Sequence, residues 1–144
     1  MFLMETRLPK DIGKKIWDKC GFEVGWELPR EGMSGGLPLA WMDRQKLHIL
    51  YESKHLVHTD LLDNRGNPLS ITFVYGQPEI SRREEVWCKL RELKLLAYQR
   101  WLCIGDFNQI LFVKENFSFG DGPIPSAENF QLLVLDLQLC DLVA

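Results

Sequence analysis

An α+β fold, with two layers of β-sheet flanked by helices, is predicted by three features of this chain. Short runs of alternating apolar and polar residues recur through its first half, a strong hairpin turn joins two of them, and separate stretches carry apolar residues at helical spacing. A length of 144 residues makes one domain at most, long enough to bury a core. Hydrophobic content of 46% and charged content of 26% are ordinary for a soluble globular chain, and there is no repeat or low-complexity tract.

The chain opens with Met1-Phe2-Leu3-Met4-Glu5-Thr6-Arg7, a short apolar strand ending in a carboxylate. Pro9 suits the first turn of a helix, and residues 11–19 carry Ile12, Ile16 and Trp17 at helical spacing until Gly21 stops them. Phe22, Val24 and Trp26 alternate as a strand, residues 29–36 read as a glycine-rich loop, and residues 37–42 resume an apolar strand. Residues 47–51 and 56–62 are further strands. Asp63-Asn64-Arg65-Gly66-Asn67-Pro68 is the hairpin turn that leads into Ile71-Thr72-Phe73-Val74-Tyr75-Gly76, so pairing in this region is antiparallel. Residues 81–98 predict a helix with Val86, Leu90, Leu93 and Ala97 on one stripe, and Ser81 followed by Glu84 fits a capping box. This helix returns the chain to the apolar run Trp101-Leu102-Cys103-Ile104. Residues 112–125, rich in Gly, Pro and Asn, read as a loop, and residues 126–139 as a last helix bearing Phe130, Leu133, Val134 and Leu137.

A net charge of −3 gives no general electrostatic reason to bind nucleic acid, so any basic face must be local. Lys10, Lys14, Lys15 and Lys19 gather around the first helix and read as a solvated face. Arg82 and Arg83 lie beside the strand end at Tyr75 and are the candidates for nucleic-acid contact. Cys20, Cys88, Cys103 and Cys140 are scattered without metal-ligand spacing, which suits reduced thiols in a nuclear or cytosolic compartment. The opening apolar residues are too few for a signal-peptide core and no run approaches a membrane span, so an intracellular setting without a membrane partner is expected.

Gly105-Asp106-Phe107-Asn108 sets a carboxylate and a carboxamide two residues apart at a strand end, where side-chain alternation directs both to one face and Phe107 to the other. With Glu5-Thr6-Arg7 and Tyr75 it makes an ordered set of three strand ends. That set resembles the endonuclease/exonuclease/phosphatase superfamily, the DNase I-like fold. Gly32-Met33-Ser34-Gly35-Gly36-Leu37, Val74-Tyr75-Gly76-Gln77-Pro78 with Ser81-Arg82-Arg83, and the segment from Trp101 to Leu111 resemble, more narrowly, the endonuclease of plant LINE-type non-LTR retrotransposons.

The resemblance implies a partial four-layer DNase I-like α/β-sandwich over residues 1–144, with mostly antiparallel sheets, and Mg2+- or Mn2+-dependent phosphodiester hydrolysis with DNA as partner. It implies Glu5 as metal ligand, Tyr75 as hydroxyl donor to the phosphate, Asp106 as the group that orients or deprotonates the attacking water, and Asn108 as amide donor to the phosphate. The family's first strand, with its asparagine, and its late Ser-Asp-His segment have no counterpart here. The resemblance therefore implies a domain truncated at both ends, with little or no activity of its own. His48, His55 and His58 precede Asp106, are not carried over as catalytic, and read as solvent-facing residues of edge strands. Two alternatives stay open: a non-catalytic remnant or interaction protein using Trp17, Phe22, Trp26 and Trp41 as partner-facing aromatics, and a phosphatase of the same fold.

Overall fold

In the computed structural model, which describes residues 1–111 and 127–142, the alternating segments form two sheets and the helical stripes pack outside them. The elements run α1 (Ile12–Lys19), β1 (Val24–Glu31), β2 (Ser34–Trp41), β3 (His48–Glu52), β4 (Leu56–Leu62), β5 (Pro68–Tyr75), α2 (Arg83–Lys94), β6 (Trp101–Asp106) and α3 (Ala127–Asp136). The chain is thus α+β, with two mostly antiparallel sheets flanked by helices. The loop expected over 112–125 lies outside the described residues. Among those described, no helix is long and apolar enough to cross a membrane.

The first sheet is built on the β1–β2 hairpin, paired from Val24↔Trp41 to Glu31↔Ser34. The loop expected over 29–36 shrinks to Gly32 and Met33. Gly32, at φ 60°, supplies the left-handed corner of a two-residue turn, and Pro29 is accommodated because β1 has a sheet neighbour on one side only. The opening segment runs along the other side of β2: Leu3 N–H donates to the Pro38 carbonyl at 3.0 Å and Ala40 N–H to the Met1 carbonyl at 2.9 Å. α1 buries Trp17 over Gly25, where a β-carbon would stand 2.5 Å from the indole.

The second sheet has the order β3-β4-β5-β6. Its first three strands are antiparallel, whereas β6 joins β5 in parallel after the α2 crossover. On one face, Leu56 and its register partner Val74 meet Trp87, Leu90 and Leu93 of α2 and Phe130 and Leu133 of α3. On the other, Phe73 packs on Phe2 with ring centroids 5.0 Å apart, which ties the opening segment to this sheet.

Two local expectations are corrected. The predicted helix over 81–98 is shorter, and Ser81 does not cap it: Ser81 lies in a 3-10 turn and its hydroxyl donates to the Glu79 carboxylate at 2.8 Å. Glu84 and Glu85 in the first turn of α2 instead place negative charge at the positive end of the helix dipole. The histidines also divide. His48 is exposed and His55 half-buried, but His58 is fully buried, because β4 is covered on both faces. Its Nδ1 lies 2.7 Å from the Thr72 hydroxyl, which also accepts from Trp101 Nε1 at 2.8 Å, while its Nε2 has no partner among the described residues. Next to it, burial pushes the Cys103 thiol up to about 12, so this sulfur stays protonated and unreactive.

Burial lowers the His58 pKa below 6.5, against a smaller opposing pull from Asp60. The unfolded chain therefore binds the proton more readily than the folded one, so the stability is fully present above about pH 6.5 and is lost as pH falls toward the folded value. Urea midpoints measured from pH 7.5 downward are expected to fall below about pH 6.5. His58→Gln should flatten that slope, leaving the part contributed by His55, whose pKa is also lowered by burial. An unchanged slope in His58→Gln would contradict the buried neutral histidine.

Candidate functional site

Tyr75 and Asp106 end their strands side by side as register partners. The strand ends close further when Gly76 N–H donates to the Asp106 carbonyl at 2.6 Å. Two glycines permit this approach: a β-carbon on Gly76 would run into the Phe107 carbonyl, and one on Gly105, at φ 143°, into the Val74 carbonyl. Phe107 leaves the strand for the core, its ring centroid 5.3 Å from that of Phe130 and 6.4 Å from that of Trp87.

Glu5 reaches the same place from the first sheet. Thr6 N–H donates to Gly36 O at 3.2 Å and Arg7 N–H to Gly35 O at 2.9 Å, so the chain crosses β2 where these two residues carry no side chains. A β-carbon on Gly36 would lie 2.5 Å from Thr6 Oγ1 and 3.0 Å from Arg7 N. The crossing turns through left-handed backbone at Glu5 (φ 50°) and Arg7 (φ 53°), conformations that cost a non-glycine residue about 1–3 kcal/mol each. The result is that the Glu5 and Asp106 carboxylates both lie near enough to the Tyr75 phenol to act on its ionisation. Burial first, then the neighbouring Glu5 carboxylate and the Asp106 charge, push the phenol above its ordinary value of 10.0, while Arg7 pulls the other way. Arg7 also pairs with Glu5 at 3.6 Å, in solvent.

Glu5, Tyr75 and Asp106 therefore lie near one another at one end of the second sheet. Asn108 is placed differently from the strand-alternation expectation, because β6 stops at Asp106 and Asn108 sits at φ 52°. Its backbone N–H donates to Asp106 Oδ1 at 2.7 Å and its side-chain amide to the Gly76 carbonyl at 2.7 Å, so the amide is directed at the chain itself. Arg83 likewise donates to the Gln77 carbonyl at 3.0 Å and the Pro78 carbonyl at 3.1 Å, and Arg82 pairs with Glu85 at 3.4 Å.

The sequence reading missed three contributors: His55, Gln77 and the seat made by Gly36. His55 donates from Nδ1 to the Tyr75 carbonyl at 2.9 Å, and its Nε2 lies 3.3 Å from the Gln77 amide nitrogen. Only the β4–β5 register brings residues 55 and 75 together, and no local motif announces it. Gly36 did carry a signal, as the second glycine of Ser34-Gly35-Gly36.

The chain matches no protein-family model and no curated protein. Among the described residues no group of three or more His, Cys, Asp or Glu side chains converges as a metal cage. The donor set at Tyr75 nevertheless fits a hard cation of the Mg2+ type, which takes one or two carboxylates and fills its remaining positions with water or phosphate oxygens. Glu5 and Asp106 offer those carboxylates, and both are exposed.

Glu5→Gln is expected to lower the pH at which Tyr75 ionises, because the charge that disfavours the phenolate is removed. Ultraviolet titration in a Tyr51→Phe/Tyr98→Phe background isolates the one remaining phenol of the three. An identical titration with and without the Glu5 charge would rule out the contact.

Proposed function

We propose that this sheet end is the phosphate-handling half-site of a Mg2+-dependent phosphodiester hydrolase, a DNA endonuclease of the plant LINE kind on a partial four-layer DNase I-like sandwich. The observation that carries the reading is the approach of the Glu5 and Asp106 carboxylates to the Tyr75 phenol, three polar residues distant in sequence, of which Tyr75 and Asp106 are register partners at their strand ends. Glu5 and Asp106 would hold Mg2+ or Mn2+, which when bound neutralises charge on phosphoryl oxygens. Tyr75, kept protonated by its raised pKa, would donate its hydroxyl to such an oxygen. Asp106 would orient the attacking water, its own carboxylate held by the Asn108 N–H. Loss of a preorganised donor of the Tyr75 kind typically costs about 3 kcal/mol in the barrier.

A second reading, a non-catalytic binding module, is favoured by a different observation. The Asn108 amide and the Arg83 guanidinium are engaged by the chain's own carbonyls, Arg82 is ion-paired, and both ring nitrogens of His55 are in use. These groups are then not free for a substrate phosphate, and slow turnover is expected even where the cation binds. A phosphatase would share the half-site and differ in the ester it takes.

Under the hydrolase reading, Mg2+ at a hundred times its Kd should stabilise the chain by about 2.7 kcal/mol, measured as a rise in Tm that Glu5→Gln abolishes. Nicking of supercoiled DNA above the level of Asp106→Asn selects the endonuclease, and release of phosphate from a monoester selects the phosphatase. Stabilisation without either selects the binding module. No Mg2+-dependent change in Tm would remove the metal site and the hydrolase reading with it.

A further inference from the structure

Two carbonyls show how β6 lies in its sheet. Ser70 N–H donates to Arg100 O at 2.9 Å and Gly76 N–H to Asp106 O at 2.6 Å, so the even-numbered residues of β6 turn their backbone groups toward β5. Strand alternation then directs the N–H and C=O of Trp101, Cys103 and Gly105 to the opposite side. β6 is the last strand of its sheet, and among the described residues no second strand pairs with that side.

The other open edges are guarded. β1 carries Pro29, and β3 is broken by a bulge between Ile49 and Tyr51 and bounded by His48 and Glu52. Proline, bulges and charge keep edge strands from pairing with another chain. From Trp101 to Gly105 β6 has none of these: its pairing with β5 is unbroken, and it presents Ile104 at 49% exposure.

The segment from Arg100 to Asp106 is also complementary to itself. A second copy related by a twofold axis meets β6 antiparallel, and with Cys103 on the axis the pairs are Cys103 with Cys103, Leu102 with Ile104, Trp101 with Gly105 and Arg100 with Asp106. This register opposes outward-turned residues to outward-turned residues, so Trp101, Cys103 and Gly105 exchange N–H···O bonds across the axis. It sets an indole beside a residue without a side chain, one aliphatic chain against another, and a guanidinium opposite a carboxylate. With the axis at Leu102 or Ile104 instead, Arg100 faces Ile104 or Asn108 and the charge pair is lost. Arg100 gives Nη1 to Asp63 at 2.6 Å and keeps other N–H groups for a facing carboxylate, and Asp106 is exposed. A groove of about 650 Å3 between β6 and the chain after α3, lined among others by Trp101, Leu139 and Leu142, gives the junction further apolar surface to cover.

We infer that β6 is a homodimer interface: two copies join their second sheets into one by antiparallel β6 pairing centred on Cys103, and each copy brings Arg100 to Asp106 of the other, at the margin of the candidate site. The inference does not depend on the hydrolase reading.

The test uses the full chain without metal or DNA. Sedimentation from low micromolar to submillimolar concentration should show a monomer that converts to a dimer and to nothing larger. Amide exchange over the same series should slow with concentration at Trp101, Cys103 and Gly105, whose N–H groups gain partners, and stay unchanged at Leu102 and Ile104, which already serve β5. Ile104→Lys should stay monomeric and keep the three outward amides exchanging fast. Arg100→Asp should weaken the dimer by about tenfold, the scale of two reversed cross-strand charge pairs, and adding Asp106→Arg should restore it. The inference is overturned by a chain that stays monomeric throughout, by open-ended assembly, by a dimer whose three outward amides exchange as in the monomer, or by a double variant that pairs no better than Arg100→Asp. Should Ile104→Lys not fold, the exchange pattern of the unaltered chain decides. A missing Mg2+ effect on Tm sinks the hydrolase and leaves this pairing standing, whereas a monomer at every concentration sinks the pairing and leaves the hydrolase.

Discussion

The close approach of the β5 and β6 ends, sealed by Gly76 N–H on the Asp106 carbonyl at 2.6 Å, sets the positions of Tyr75, Asp106 and Asn108 at the candidate site. Parallel pairing alone would bring Tyr75 and Asp106 level. The two glycines allow the backbones beyond them to touch, and Phe107 anchors the junction by entering the core against Trp87 and Phe130. The aromatic core under α2 and α3 therefore holds the polar cluster in place, since loosening Phe107 would release both strand ends together. Buried aromatic contacts of this kind are among the larger single contributions to stability in a chain of this size.

A second constraint acts from the other sheet. Glu5 meets Tyr75 only because residues 6 and 7 cross β2 over Gly35 and Gly36, turning through left-handed backbone on the way. Two of the six non-glycine residues with positive φ among those described are Glu5 and Arg7, and a third is Asn108. Unfavourable backbone thus accumulates where chemistry-bearing side chains meet, a distribution common at binding sites. Phe2 on Phe73 keeps the crossing segment against the second sheet.

The sequence made the elements legible where one physical signal dominates. Alternation located β3, β4 and β5, helical spacing located α1, α2 and α3, and the Asp63 to Pro68 turn located the hairpin between β4 and β5. It misled where a local signal competes with tertiary pairing: the glycines and proline of 29–36 read as a loop although the β1–β2 register carries strand almost to the turn, and Ser81 read as a cap although Glu79 takes its hydroxyl. His58 read as exposed because one sequence does not show that its strand is covered on both sides. At the candidate site, Tyr75 and Asp106 were legible as polar residues ending strands, whereas the strand expected to end at Glu5 is only an isolated bridge at Phe2 followed by a bend. The direction of the Asn108 amide and the part played by His55 were not legible, because both depend on registers between segments about twenty or more residues apart.

What emerges is a cluster of two exposed carboxylates beside a half-buried phenol, while the surrounding donors are turned inward to hold the backbone. Under the proposed hydrolase reading, the two carboxylates would serve a hard cation and the phenol a phosphate, on a frame set by glycines and carbonyl clamps. The most direct measurement of that claim is paramagnetic broadening by Mn2+ of the 15N-labelled chain. Selective loss of the amide signals around Glu5, Tyr75, Gly76 and Asp106 at low Mn2+ is the predicted result. Broadening centred instead on the acidic turn at Asp63, or spread evenly over the surface, would contradict it.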